Sequence, residues 1–212
     1  RPRRRSTGMV AVQHPDHRRS RPRGGTDPLA TYLDGARLWN ASAASGLSPA
    51  ELAAPFDLLM VAFSKGLGAP AGSMLAGPRD LITAAARHRR MLGGAMRQIG
   101  ILAAACDYAL THNLARLAED HANARLIADR LAGVPGVVIH PERMATNIIV
   151  FELDGARVTA TELVARSREA GVLINALSAT KVRLVTHLDA SRADCERAAG
   201  LIADLLAGKT GA

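Results

Sequence analysis

The stretch D-L-L-M-V-A-F-S-K-G-L-G-A-P (57–70) constrains the fold most. Residues 57–63 form an apolar run of strand length, suited to a strand buried in a sheet. Residues 64–70 then bring two glycines and a proline, which cannot continue a strand and must form a loop. Residues 72–76 read as a return strand, and Pro78 opens a helix that runs to about Leu92. A buried strand set among helices points to an α/β architecture.

The flanking sequence fits that scheme. Tyr32 and Leu33 read as a strand end, Asp34-Gly35 as a turn, and 36–45 as a helix stopped by Gly46. Ser48-Pro49 opens a short helix. Gly93-Gly94 breaks the helix after Pro78. Segments 97–111 and 113–131 read as two long helices whose alanine-rich faces predict close packing. Gly133, Pro135 and Gly136 mark a boundary. Strands follow at 137–140, 147–153, 172–175 and 182–186, with a helix at 161–170. The last helix, 191–207, starts with Ser191 and Asp194 spaced as a capping box. The expected division is a basic segment (1–28), part of a large α/β domain (29–133) and a small α+β domain (134–212).

Net charge is +8, which could suggest nucleic acid until the charge is located. Residues 1–25 hold eight arginines and one acid, Asp16, leaving 19 basic and 18 acidic side chains for the rest. Basicity therefore belongs to the first segment, which has no helical or strand period and reads as disordered. An arm for nucleic acid is its second reading. No targeting peptide fits it, because no apolar region follows the first arginines. No apolar run reaches the length of a membrane span. Two cysteines, Cys106 and Cys195, make no disulfide framework, so a reducing, cytoplasmic setting is expected.

Arginine outnumbers lysine by 24 to 3, which singles out Lys65, Lys181 and Lys209. A lysine in a glycine-rich loop directly after a buried strand can be desolvated and made nucleophilic. It can equally be an exposed surface charge. Asp34 and Arg37 can lie on one side of a helix start, or be a helix cap with a solvated arginine. The glycines and Arg97 of G-G-A-M-R-Q (93–98) can present donors to an anion, or form a plain helix–helix turn. Arg183, inside the apolar strand V-R-L-V, can reach a carboxylate in a cleft or face solvent.

Together, L-D-G-A-R (33–37), S-K-G-L-G-A-P-A-G-S (64–73), G-G-A-M-R-Q-I-G (93–100) and V-R-L-V-T-H-L-D (182–189) closely resemble the L-threonine aldolase family. That family has the aminotransferase-like fold of pyridoxal-phosphate enzymes. The resemblance runs from about residue 32 to the C-terminus. It implies that Lys65 holds pyridoxal 5'-phosphate and that Asp34 pairs with the ring nitrogen. It also implies that Ser64 lies near the cofactor phosphate and that Arg97 contacts that phosphate across a subunit interface. Arg37 and Arg183 would bind the substrate carboxylate, and His187 would be structural. No metal is implied. The expected activity is cleavage of β-hydroxy-α-amino acids such as L-threonine or L-allo-threonine to glycine and an aldehyde, in a homodimer or homotetramer. Another lyase of the same fold, such as a β-eliminating one, or a non-catalytic remnant, are the alternatives. Residues 1–31 resemble none of the family's upstream elements, and Tyr32 stands where the family often has histidine. His14 and His17 receive no role. The expectation is a partial copy with little or no activity alone.

Overall fold

The computed structural model describes residues 30–208. The basic segment read as disordered, with His14 and His17, lies outside them, and so does Lys209. The chain forms two compact units that divide between Leu114 and Ala115.

The first unit is built on a three-stranded sheet, β1 (Tyr32–Gly35), β2 (Leu58–Ala62) and β3 (Ser73–Ala76), in that spatial order. Strands β1 and β2 are parallel, so a crossover must join them. Helices α1 (Leu38–Ser45) and α2 (Pro49–Ala53) make it. Gly46 ends α1 in the left-handed region at φ 73°, where glycine carries no steric cost. Ser48 and Glu51 cap α2 reciprocally. Thr31 pins the entry to β1, its Oγ1 donating to Asp57 Oδ2 at 2.8 Å. Strand β3 returns antiparallel to β2. Helices α3 (Arg79–Met91) and α4 (Gly100–Asn113) follow.

Two expectations are corrected here. Helix α4 starts at Gly100 rather than at Arg97, because Gln98 sits at φ 54°, which a right-handed helix does not allow. Its alanine face does not pack closely: only Ala109 of α4 is buried.

The second unit begins with α5 (Leu117–Ala132). The sequence reading draws its boundary at Gly133, whereas α5 packs with the unit that follows. The sheet is wholly antiparallel, ordered β4 (Val137–Val138), β5 (Ile148–Leu153), β7 (Lys181–Val185), β6 (Asn175–Ala176). Ile149, Phe151 and Leu153 of β5 and Val182 and Leu184 of β7 point to one face. There they form a core with α5, α6 (Ala160–Glu169) and α7 (Arg192–Leu206). Thr159 caps α6 and Ser191 caps α7, each in a full capping box. Residues 172–174, read as strand, are not strand. The chain pairs only at Asn175–Ala176, and Leu173 is 77% exposed.

Candidate functional site

Asp34 and Lys65 follow from one feature, the parallel pairing of β1 with β2. Asp34 stands opposite Met60, and Gly35 opposite Val61. Ser64 and Lys65 come three and four residues beyond Val61, past the same end of β2. Both candidates therefore lie at the carboxyl ends of adjacent parallel strands, where open α/β sheets bind ligands. Gly35 makes this pairing possible. A Cβ there would run into the carbonyl oxygen of Met60 on β2.

Asp34 is exposed, and its Oδ1 accepts from the Ala36 N–H at 3.1 Å. That bond fixes the carboxylate over the turn into α1. Asp34 is not the cap of α1: Arg37 holds the N-cap position, with no side-chain bond across the cap. Arg37 is half-buried. From α1, Trp39 Nε1 donates to the Ala62 carbonyl at 3.0 Å, and its ring lies 6.0 Å from that of Phe63. The helix after Asp34 and the strand before Lys65 are thus joined directly.

Ser64 and Lys65 are both exposed. Of the two environments that the sequence leaves open for Lys65, desolvated or exposed, it has the exposed one. Leu67, fully buried, takes the inward position instead. The loop closes on itself: Gly68 N–H donates to Lys65 O at 2.8 Å, Ala69 N–H to Phe63 O at 3.0 Å, and Phe63 N–H to Gly72 O at 3.0 Å. Gly68 adopts φ 71° and Gly72 φ 123°, both disfavoured for side chains other than glycine.

Arg97 is exposed in the turn before α4, in a stretch 91–100 that is exposed throughout. Nearby, Arg89 Nε donates to the Gly94 carbonyl at 2.8 Å and holds the Gly93-Gly94 break. Open grooves run along α3, lined by Arg79, Thr83, Arg87 and Met91, and contain none of the six candidate residues.

Arg183 belongs to the second unit. It alternates with buried Val182 and Leu184, so it lies on the sheet face away from the helices, half-buried between Val150 and Asn175. A buried polar cluster that the sequence reading missed secures the end of its strand. Thr186 Oγ1 donates to the Asp120 carbonyl at 2.6 Å, and Asn147 Nδ2 to the Thr186 carbonyl at 2.7 Å. Arg116 Nη2 donates to Asp120 Oδ1 at 3.0 Å. Burial raises the Asp120 carboxyl above its ordinary value, with Arg116 opposing, and burial lowers neighbouring His121. The four-residue spacing of Arg116 and Asp120 on one helix was the available signal. His187 Nδ1 lies 3.1 Å from Asp189 Oδ2. No cluster of metal-ligating side chains occurs among the described residues.

Comparison with known proteins gives one consistent picture. A family model described as beta-eliminating lyase matches residues 25–156. A low-specificity L-threonine aldolase of Escherichia coli K12 is 46% identical over 164 residues, 77% of this chain and 47% of that protein. Low-specificity L-threonine aldolase 1 of Arabidopsis thaliana is 40% identical over 164 residues, 77% of this chain and 46% of its own. Among solved structures, a Listeria monocytogenes protein held to be an L-allo-threonine aldolase superposes with TM-score 0.69 at 27% identity, covering 86% of this chain and 52% of that one. Leishmania major threonine aldolase shares the fold at TM-score 0.65 and 21% identity, covering 84% and 52%. The chain spans about half the length of the curated relatives it matches.

Proposed function

The chain belongs to the beta-eliminating lyase family, and from that premise we propose that it carries the cofactor-lysine part of a pyridoxal-phosphate-dependent aldolase of β-hydroxy-α-amino acids. The observation that carries this reading is the pairing of an exposed carboxylate, Asp34, and an exposed amine, Lys65, at the carboxyl ends of adjacent parallel strands.

These residues suit the cofactor. A primary amine can bond its aldehyde, a carboxylate fixed by a backbone N–H can face a pyridinium nitrogen, and Ser64 offers a hydroxyl to a phosphate. When bound, pyridoxal phosphate supplies an electron sink for breaking a bond at the Cα of an amino acid.

The protein's own share is binding, orientation and proton placement. Asp34, held by the Ala36 N–H, would face the ring nitrogen and favour a proton there. Lys65 would hold the cofactor through its amine and would be the nucleophile and proton carrier of the site. Arg37 and Arg183 are assigned the substrate carboxylate, for which a guanidinium offers a two-pronged donor. Arg97 is assigned the phosphate of a neighbouring protomer's cofactor in a homo-oligomer. Substrates are L-threonine or L-allo-threonine, and the products are glycine and acetaldehyde. No helix among the described residues is long and apolar enough to cross a membrane.

The family description favours one second reading, β-elimination. Product analysis separates the two. With L-threonine and pyridoxal phosphate, the low turnover expected of a partial copy should give acetaldehyde and glycine in equal amounts, abolished in Lys65→Ala. A keto acid with ammonia would replace it by elimination.

A further inference from the structure

Helix α4 touches the Lys65 loop from outside at two carbonyls. Asn113 Nδ2, at its last turn, donates to the Leu67 carbonyl at 2.8 Å. Cys106 Sγ, about two turns earlier, reaches the Ala71 carbonyl at 3.4 Å. The two contacts lie 46 and 35 residues apart in sequence, so neither is a local by-product of chain connectivity. They also bracket the loop. Leu67 lies within the turn closed by the Gly68 N–H to Lys65 O bond, and Ala71 immediately precedes the return to β3.

The loop is shaped to receive the helix. Gly72 has no side chain, and a Cβ on it would lie 2.8 Å from Cys106 Sγ. Leu67 is fully buried, which aims its carbonyl at a set position instead of leaving it in solvent. Lys65 itself is exposed. The backbone that carries it is held by its internal bonds and by α4.

We propose that Asn113, assisted by Cys106, is a positioning residue for Lys65. Its amide holds the Leu67 carbonyl and thereby orients the Lys65–Gly68 turn that presents the amine. The proposal rests on the reading of Lys65 as the cofactor lysine. Asn113 touches neither substrate nor cofactor in it. Its effect is on the geometry of the nucleophile, to which rates are sensitive.

The test uses the full chain with pyridoxal phosphate and borohydride, and compares rates of modification at Lys65 and at Lys181 by peptide mapping. Lys181 lies in the second unit, on β7, and serves as the internal reference. Asn113→Asp keeps the side-chain shape but loses the N–H donor. It should lower the Lys65-to-Lys181 rate ratio by about three- to tenfold, the equivalent of one ordinary hydrogen bond. Amide exchange at Gly68 should rise with it. Cys106→Ser retains a donor and should stay within about twofold of the parent, while Cys106→Ala lowers the ratio. A purely structural contact would shift the unfolding midpoint and leave the ratio unchanged. Should Asn113→Asp fail to fold, the Cys106→Ser and Cys106→Ala pair decides. A parent that prefers Lys65, with variants that keep the same preference, overturns the positioning role. A parent with no preference for Lys65 overturns the cofactor reading instead.

Discussion

The main buried apolar cluster lies entirely between Ala124 and Leu206, whereas α3 and α4 bury only Ala109 between them. Of the exposed large apolar residues, eleven belong to the first unit and four to the second. Met91, Leu92, Met96, Ile99 and Ile101 follow one another closely and are all exposed. The second unit meets its own packing needs with helices on one sheet face. The first carries five of the six candidate residues, only Asp34 of them on a strand, and its later helices present apolar side chains outward. Stability and chemistry are thus divided unequally along the chain, and the division can be tested by matched substitutions.

The largest difference is expected in the cores. Phe151 is 1% exposed in the second unit, and Phe151→Ala should cost about 3–5 kcal/mol through lost burial and a cavity. Leu92 is 86% exposed, and Leu92→Ser should change stability by less than about 0.5 kcal/mol. Denaturant titration by circular dichroism measures both. A comparable loss in the two variants would erase the contrast.

A smaller effect is expected at the strand pairing beneath the candidate site. Gly35→Ala drives a methyl into the Met60 carbonyl and should cost the first unit about 1–3 kcal/mol. Trp39, the only tryptophan, lies on α1 and reports that unit by fluorescence. An unshifted Trp39 transition would mean that β1 and β2 do not approach as described.

Below that come the helix caps, where both units use the same device. Ser48→Ala and Ser191→Ala should each cost about 0.5–2 kcal/mol. The Ser48 change should appear in Trp39 fluorescence and the Ser191 change in the helical signal. Crossed readouts would show that the units unfold as one.

The smallest effect is a slope with pH. Hydrogen bonds from the capping serines and threonine hold Glu51, Glu162 and Asp194 below the ordinary carboxyl range. Their contribution is present above that range and is lost as pH falls through the lowered values. Buried Asp120 has the opposite sign. Its raised carboxyl binds a proton more readily in the folded state, so its contribution grows as pH falls from above that value toward 3.8. Asp120→Asn removes this gain, so the variant should lose stability more steeply than the parent on acidification in that window. Parallel stability curves from pH 4 to 7 would contradict it.

Sequence reached some of these features and missed others for physical reasons. Strand β2 and its exit loop were legible because an apolar run followed by glycine and proline has few other outcomes. The Ser191 cap was legible because its spacing is local. The early part of α4 was misread because a glutamine at positive φ leaves no mark on sequence. The environment of Lys65 stayed open because apolar neighbours do not tell which of Lys65 and Leu67 points inward. The Asp120 cluster joins α5 to the end of β7 over 66 residues, and tertiary folding alone brings those groups together.

The most direct measurement sets Lys65 of the first unit against Lys181 of the second. Limiting pyridoxal phosphate followed by borohydride and peptide mapping should place most of the modification on Lys65, and Lys65→Ala should retain only the slow background at Lys181. The reference lysine sits 3.7 Å from Glu152 on the second sheet and is half exposed. Equal modification of Lys181, or a total label undiminished in Lys65→Ala, would contradict the assignment of the chemistry to the first unit.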